Sequence, residues 1–514
     1  MARTAIEGAN NLGGGLVTNI PSHLLRRSQT PNGINFDPSN QDGVTKRGGY
    51  AAWSDAGPSG TIAAVRGMFQ GRLATTPYAK HTLLASDNAT PIPALFTVPE
   101  TGAWTEWTQL PGPVTLPLSS DKTDIHMFND LIIILNSGGG PWKSDGSSSE
   151  ASDLGIDATS QAIVELCSIG EVHKGRLWLS GRAPEPNKIF WSDLHDPTSW
   201  EPDADAGNAG FETLNKNDGR IINGIKSGGE VLYVSKISPP TSTNPFGTEG
   251  SIYAYFGTDN INFSSIRKVA NFPAVNHKAM FNYDGVLVMA SPNGVYSISG
   301  KGVALLSRDI QDIYEAIADK FTIQIGRYRN QLWISYDSTG DGNNDSVLVL
   351  DVARGRWSRY TGSIGNIGCL TNDVDTGGLL FAQNAATQRI YESPIGTNDN
   401  GSAINFHWET PDLDWGDFFL DKLVKQFFIY TLDTGDFDIK ITRILDGDPQ
   451  VDVPDMSVNV QGTGAIDKLV TRTITPSSDR NSRFTRFKLE NNELNEPITL
   501  RGYAAYAEIL EPTR

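Results

Sequence analysis

From about residue 60 to 397 the chain repeats one pattern of polar and apolar positions. A turn bearing Gly, Asn or Asp precedes a short apolar run, a polar loop follows, and a second short run closes the unit. Gly175 leads into RLWLSG and, after a loop, KIFWSD (188–193). Gly229 leads into EVLYVSK and then SIYAYFG (251–257). Asp284-Gly285 leads into VLVMAS and then GVYSIS (294–299), and Asn330 into QLWISYD and then SVLVLD (346–351). Gly377-Gly378 leads into LLFAQN and then RIYES (389–393), and Asn129-Asp130 into LIIILNS (131–137) with Pro141-Trp142 beyond. HTLLAS (81–86) and ALFTV (94–98) form a less regular first unit.

Enrichment in Val, Ile, Tyr, Phe and Trp between turn residues predicts strands. Seven units at about 48 residues each fall within the range of propeller repeats. One unit cannot bury its own apolar face, and packing the sheets radially about an axis solves that with short edges. The fold predicted for residues 56–399 is therefore a β-propeller of six to eight blades. One helix is predicted, RDIQDIYEAIADKF (308–321), from Ile310, Ile313, Tyr314 and Ile317 at helical spacing.

The flanks differ. Residues 1–55 carry Asn11-Leu12-Gly13-Gly14-Gly15-Leu16 and Pro21, Pro31 and Pro38, which predicts an extended arm. Up to residue 50 its charges are Arg3, Arg26, Arg27, Lys46 and Arg47 against Glu7, Asp37 and Asp42, so it is mildly basic. Residues 400–514 contain longer alternating segments, QFFIYTL (426–432), FDIKITRIL (437–445), DKLVTRTI (467–474) and RFTRFKLE (483–490), which predict a C-terminal β-sandwich. The whole is all-β.

Composition narrows the function. The net charge of −17 opposes general binding of nucleic acid. Two cysteines, Cys167 and Cys369, argue against a disulfide framework, although a single bridge between them stays open. The N-terminus has no apolar signal-like core, and no run approaches ~18 apolar residues, so neither an export signal nor a membrane span is expected.

Catalytic signatures are sparse. There is no GxxxxGK[ST], HExxH, CxxC or GxSxG, and the seven histidines are scattered at no metal-ligand spacing. No catalytic residue and no cofactor are expected, and the chain is read as non-enzymatic. Asp337, Asp341, Asn343 and Asp345 place oxygens as in a Ca²⁺ loop with Gly342 at its sharp turn, but position 12 is Leu348 and the flanks are strands. A polar hairpin loop is the simpler reading. Trp191, Asp193, Asp196 and Trp200 surround an Asp-Pro turn, which resembles the Asp-box of sialidases without its Asp and Gly placement; a structural turn is expected. Arg26, Arg27, Lys46 and Arg47 are candidate partner contacts.

GGGLVTNIPSHLL (13–25), Gly33-Ile34-Asn35-Phe36-Asp37 and Lys46-Arg47-Gly48-Gly49-Tyr50 together resemble the opening of phage tail β-propeller proteins. Phe190-Trp191-Ser192-Asp193, Asp196-Pro197 and Trp200 resemble a turn of the same propellers, and residues 407–430 the start of their C-terminal domain. That group includes the tail nozzle, or packaged-DNA stabilisation, proteins of short-tailed phages. The resemblance implies a virion structural protein assembled in the host cytoplasm. It would be a nozzle subunit in a homo-oligomeric ring, commonly hexameric, below portal and adaptor, retaining packaged DNA and passing it on ejection. The arm would then reach a neighbouring subunit or the adaptor, and removing residues 1–50 would block docking without unfolding the propeller. The alternative is a carbohydrate-binding or carbohydrate-hydrolysing propeller, with aromatic side chains and carboxylates converging at one end of the central channel.

Overall fold

The computed structural model describes residues 3–510 except 42, 58, 75–78, 88–92, 111–113, 120–121, 203–207, 240–248, 258–264, 433–435, 437, 450–455, 460–466 and 474–480. Asp42 of the arm thus lies outside the described residues. Seven sheets form the blades of a propeller: six are four-stranded and antiparallel, and the second is six-stranded, with Thr108–Gln109 added in parallel to its outer strand Glu150–Asp153. Their innermost strands are Val65–Arg72, Asp124–Phe128, Ile169–His173, Ile221–Gly228, Met280–Tyr283, Asp319–Tyr328 and Ile367–Asn372. Each innermost strand contacts the next, and the last contacts the first, so the ring closes. Closure is also made in sequence: the outer strand of blade 7 is Ala51–Ala52, pairing with Tyr391 and Glu392.

The second strand of each blade explains why its sequence is almost continuously apolar. In blade 2, Ile132 and Ile134 enter the cluster shared with blade 1, while Ile133 and Leu135 enter the cluster shared with blade 3. In blade 6, Leu332 and Ile334 face one neighbour and Trp333 the other. Side chains alternate by two, but both faces are buried between blades, so the polar half of the alternation disappears. The hairpins joining the inner two strands use two-residue turns with positive φ at both positions, at Asn129-Asp130, Lys174-Gly175 and Asp284-Gly285. That is the turn whose twist suits a tight hairpin.

Near the axis there is no room for side chains between neighbouring strands. A Cβ on Gly67 would run into the Thr123 carbonyl of blade 2, and one on Gly368 into the Val65 side chain of blade 1. The predicted helix over 308–321 is shorter than its apolar spacing suggests. A 3-10 turn, Ser307–Ile310, leads into one α segment, Gln311–Glu315, and the chain is already extended at Asp319. Blade 6 takes those last residues for its innermost strand, a tertiary demand that overrides local propensity.

The extended arm joins its own chain. Arg3–Ala9 and Val44–Lys46 pair with Thr499–Ile509, and Gly33–Ile34 pairs with Phe406–Glu409. The C-terminal sandwich is therefore two six-stranded sheets that each include N-terminal strands. Its core is marked by Phe427 stacked on Phe487 at 3.9 Å. This core is continuous with blades 5 and 6 through Leu12, Leu16, Tyr314 and Trp357. Cys167 and Cys369 are both free and lie in different inter-blade clusters. Among the described residues, no helix is long and apolar enough to cross a membrane.

Candidate functional site at the channel mouth

The starts of the innermost strands lie together at one end of the channel, and four of them are irregular there. Register shifts fall between Val65 and Gly67, Ile222 and Gly224, Asp319 and Gln324, and Ile367 and Cys369. A bulge frees residues from ladder pairing and re-aims their side chains. Asn223, Phe321 and Thr322 occupy such positions, and all three line a cavity of about 250 Å³ at the mouth. Lys122, Asp124, Ser168, His277, Lys278 and Gln324 complete most of its wall.

Part of this polar belt holds the ring. Asn223 donates its amide to the carbonyls of Ala274 (2.8 Å) and Val275 (3.4 Å), linking blade 4 to the entry of blade 5. Asn276 donates to the carbonyls of Phe321 (2.7 Å) and Ile323 (2.9 Å), linking blades 5 and 6. The Gln324 amide donates to the Gly368 carbonyl, linking blades 6 and 7. Lys122 donates to the carbonyls of Val65 (3.3 Å) and Gly368 (3.4 Å).

Asp124 is the centre of charge. It is almost fully buried and accepts from His126 Nε2 at 2.7 Å, His277 Nε2 at 2.9 Å, the Gly170 amide at 3.1 Å and the Lys278 ammonium. Burial alone would raise its pKa, but His126, Lys278 and His277 outweigh burial and hold it well below the usual carboxylate range. Burial keeps His277 below the ordinary histidine pKa, with Lys278 and Lys226 adding to that, against the pull of Asp124. His277 Nδ1 accepts from the Ile225 amide at 3.3 Å, so its proton sits on Nε2, aimed at Asp124. Behind this cluster Lys226 pairs with Glu171 at 2.8 Å. Burial would discharge Lys226, yet Glu171 outweighs it and keeps the ammonium charged.

Asp124, His126 and His277 bring three ligand atoms within 4.8 Å of one another. They do not fit a divalent cation. The His277 Nε2 lone pair is taken by a proton, and the Lys278 ammonium occupies the other Asp124 oxygen. What the arrangement does is fix charge: Asp124 gathers His126, His277 and Lys278 at the mouth, with His126 outside the cavity wall.

The residues singled out in the sequence lie elsewhere. Asp337 accepts through Oδ1 from the amides of Thr339 (2.9 Å) and Gly340 (2.6 Å) and through Oδ2 from that of Gly342 (2.7 Å). Asp345 accepts from Ser338, and Asp341 from the Asn343 amide at 2.9 Å. Each of these carboxylates accepts hydrogen bonds from within its own loop. At the Asp-Pro turn Asp196 accepts from Thr198, Trp200 Nε1 donates to the Pro197 carbonyl at 2.9 Å, and Asp193 accepts from the Ala209 amide, beside buried Trp191. Of the four basic arm residues, Arg26 is exposed, and the other three are engaged within the chain. Arg27 meets Glu7 and Asp414, and Lys46 donates to Asn491 at 2.9 Å. Arg47 grips Asp399 with two bonds of 2.7 and 2.6 Å while donating to Asn35 at 2.9 Å. Sequence spacing could not show the Asp124–His126–His277 cluster, because blades 2 and 5 meet only across the channel.

No family model matches the chain, and no curated protein matches it. Solved structures do. The chain is similar to an exo-β-1,3-galactanase from Phanerochaete chrysosporium with galactose, at 9% identity and a TM-score of 0.27, covering 78% of this chain and 98% of that one. It is also similar to a luciferin-regenerating enzyme at 9% identity and a TM-score of 0.34, covering 52% and 89%. At such identities the likeness concerns the fold alone. The similar proteins named are enzymes and none is a tail component, so the expectations of a phage tail conduit and of a chain without catalysis find no support among them and are set aside.

Proposed function

We propose that this chain is a carbohydrate-binding propeller whose ligand sits at the mouth of the central channel. The observation that carries the reading is the set of bulges that turns Phe321, Thr322 and Asn223 onto one small cavity beside Lys278 and Gln324. A saccharide needs an apolar platform for its C–H face, together with fixed donors and acceptors for its hydroxyls. Phe321 supplies the first, and Lys278, Thr322, Ser168 and the free oxygen of Gln324 supply the second. The volume, about 250 Å³, suits roughly one sugar residue.

Hydrolysis by two carboxylates needs one acid kept protonated. Asp124 is held ionised and Glu171 is tied to Lys226, so this pair does not supply the acid, and the reading proposed is binding. The test is a glycan array followed by titration of the hits, with release of reducing sugar followed on the same ligands. Binding weakened at least tenfold by Phe321→Ala or Thr322→Val, and untouched by Lys301→Gln on the exposed rim, is the expected result. No binding across the array, or binding indifferent to Phe321 and Thr322, would overturn the reading.

A further inference from the structure

The charges at the channel mouth do not cancel, and the imbalance specifies the ligand more narrowly. Among the described residues, Lys122, Lys278 and Asp124 are the formal charges lining the cavity, so its wall carries one net positive charge. Lys278 is paired with Asp124, whereas Lys122 reaches only two main-chain carbonyls at the long end of hydrogen-bond range. A carbonyl dipole solvates an ammonium but does not neutralise it. Burial raises the Cys369 thiol, and both Lys122 and Lys278 lie near enough to oppose that rise. The chain as a whole carries −17, so this positive spot is a local exception.

Hydrogen-bond capacity points the same way. A carboxylate offers about four acceptor sites. Asp124 already receives His126, His277, Lys278 and the Gly170 amide. It therefore has nothing left for a ligand hydroxyl. The unspent groups on this side of the cavity are ammonium N–H donors, on Lys122 and Lys278. Donors with surplus positive charge are complementary to an anionic acceptor.

From this juxtaposition, and resting on the carbohydrate reading above, we infer that the channel mouth is selective for a monoanionic sugar, a uronic acid whose carboxylate lies between Lys122 and Lys278. One surplus charge matches one carboxylate. A phosphate ester, with close to two charges at neutral pH, would leave the mouth negative.

Calorimetric titration of the full chain with galacturonate, galactose and galactose 1-phosphate at low salt tests this. The expected result is galacturonate at least tenfold tighter than galactose and tighter than the phosphate ester. That margin shrinks as salt rises, because surplus charge is screened. Lys122→Gln, at an exposed position, brings galacturonate down to the affinity of galactose, while Lys301→Gln leaves the ratio alone. Equal affinity of the wild-type chain for galacturonate and galactose would overturn the uronate assignment and leave the carbohydrate reading standing, as would a preference that survives Lys122→Gln. A phosphate ester tighter than galacturonate would overturn the monoanion argument. Failure of all saccharides to bind would overturn the underlying reading itself.

Discussion

Two cavities in this protein use charge in opposite ways. The larger, about 430 Å³, lies where the N-terminal segment meets blade 6 and is lined by Arg47, Arg354 and Asp37, among others. Most of its charges are held by the fold, although Lys46 donates only to Asn491 and the Glu493 carbonyl and Arg329 lies over the Tyr328 ring. Arg47 and Asp399 are 1% and 2% exposed and doubly bonded, Arg354 pairs with Asp351 at 2.7 Å, and Asp37 accepts from Gln331 and Ser39. The smaller cavity, at the channel mouth, leaves one ammonium without a counter-charge among the described residues. Size alone would choose the wrong one. Unspent hydrogen-bonding capacity separates a joint from a binding site, since a joint works by satisfying every buried group.

The comparison can be broken at the joint first. Removing residues 1–55 would strip four strands from the sandwich and the outer strand from blade 7. The expected outcome is loss of cooperative folding, read by far-UV circular dichroism and thermal melting. A truncated chain that melts like the full one would mean that the joint is dispensable. This contrasts with the sequence-based expectation of an arm that can be trimmed without unfolding.

A smaller effect is expected from one side chain. Arg47→Ala leaves Asp399 buried and unpaired, which should cost about 3–5 kcal/mol in urea unfolding. A change under ~1 kcal/mol would show that Asp399 finds water or another partner.

Acid sharpens the contrast in a different way. Burial, assisted by Lys174 and Lys488 respectively, lowers His173 and His407 to about 4. Both are neutral in the folded chain and free to take up protons when it unfolds. Their contribution to stability is present above the ordinary histidine pKa and is lost as the pH falls through about 4. The loss is on the order of 3 kcal/mol for each. His277 adds in the same direction. Melting temperature should therefore drop between pH 6.5 and 4, and His407→Gln should flatten the drop. An unchanged profile in that variant would remove His407 from the account.

The smallest effect is expected at the 337–345 loop. Asp337→Asn keeps the loop's shape but weakens three amide bonds, costing about 1 kcal/mol. The same cost with and without calcium is expected, and a stabilisation by calcium that this substitution abolishes would restore the ion-loop reading.

The propeller was legible because LIIIL, LWISY and VLVMA are apolar on both faces, a pattern that only strands between two sheets require. The sandwich was legible in QFFIYTL (426–432), FDIKITRIL (437–445) and RFTRFKLE (483–490), where alternation survives because one face meets solvent. Its N-terminal strands were hidden. Gly33–Ile34 and Phe36–Asp37 are two residues each and carry no period. The site was hidden for a related reason. Asp124, His126 and His277 come from blades 2 and 5, and bulges, which no periodicity encodes, aim Asn223, Phe321 and Thr322. The seven histidines, scattered in sequence, turn out to include a pair converging on one carboxylate.

The most direct test of the account is a structure of the chain soaked with a saccharide that the array selects. The account places the sugar ring against Phe321, with its oxygens within hydrogen-bond distance of Lys278 and Lys122. A sugar seated in the joint beside Arg47, or on the outer strands of the blades, would contradict it.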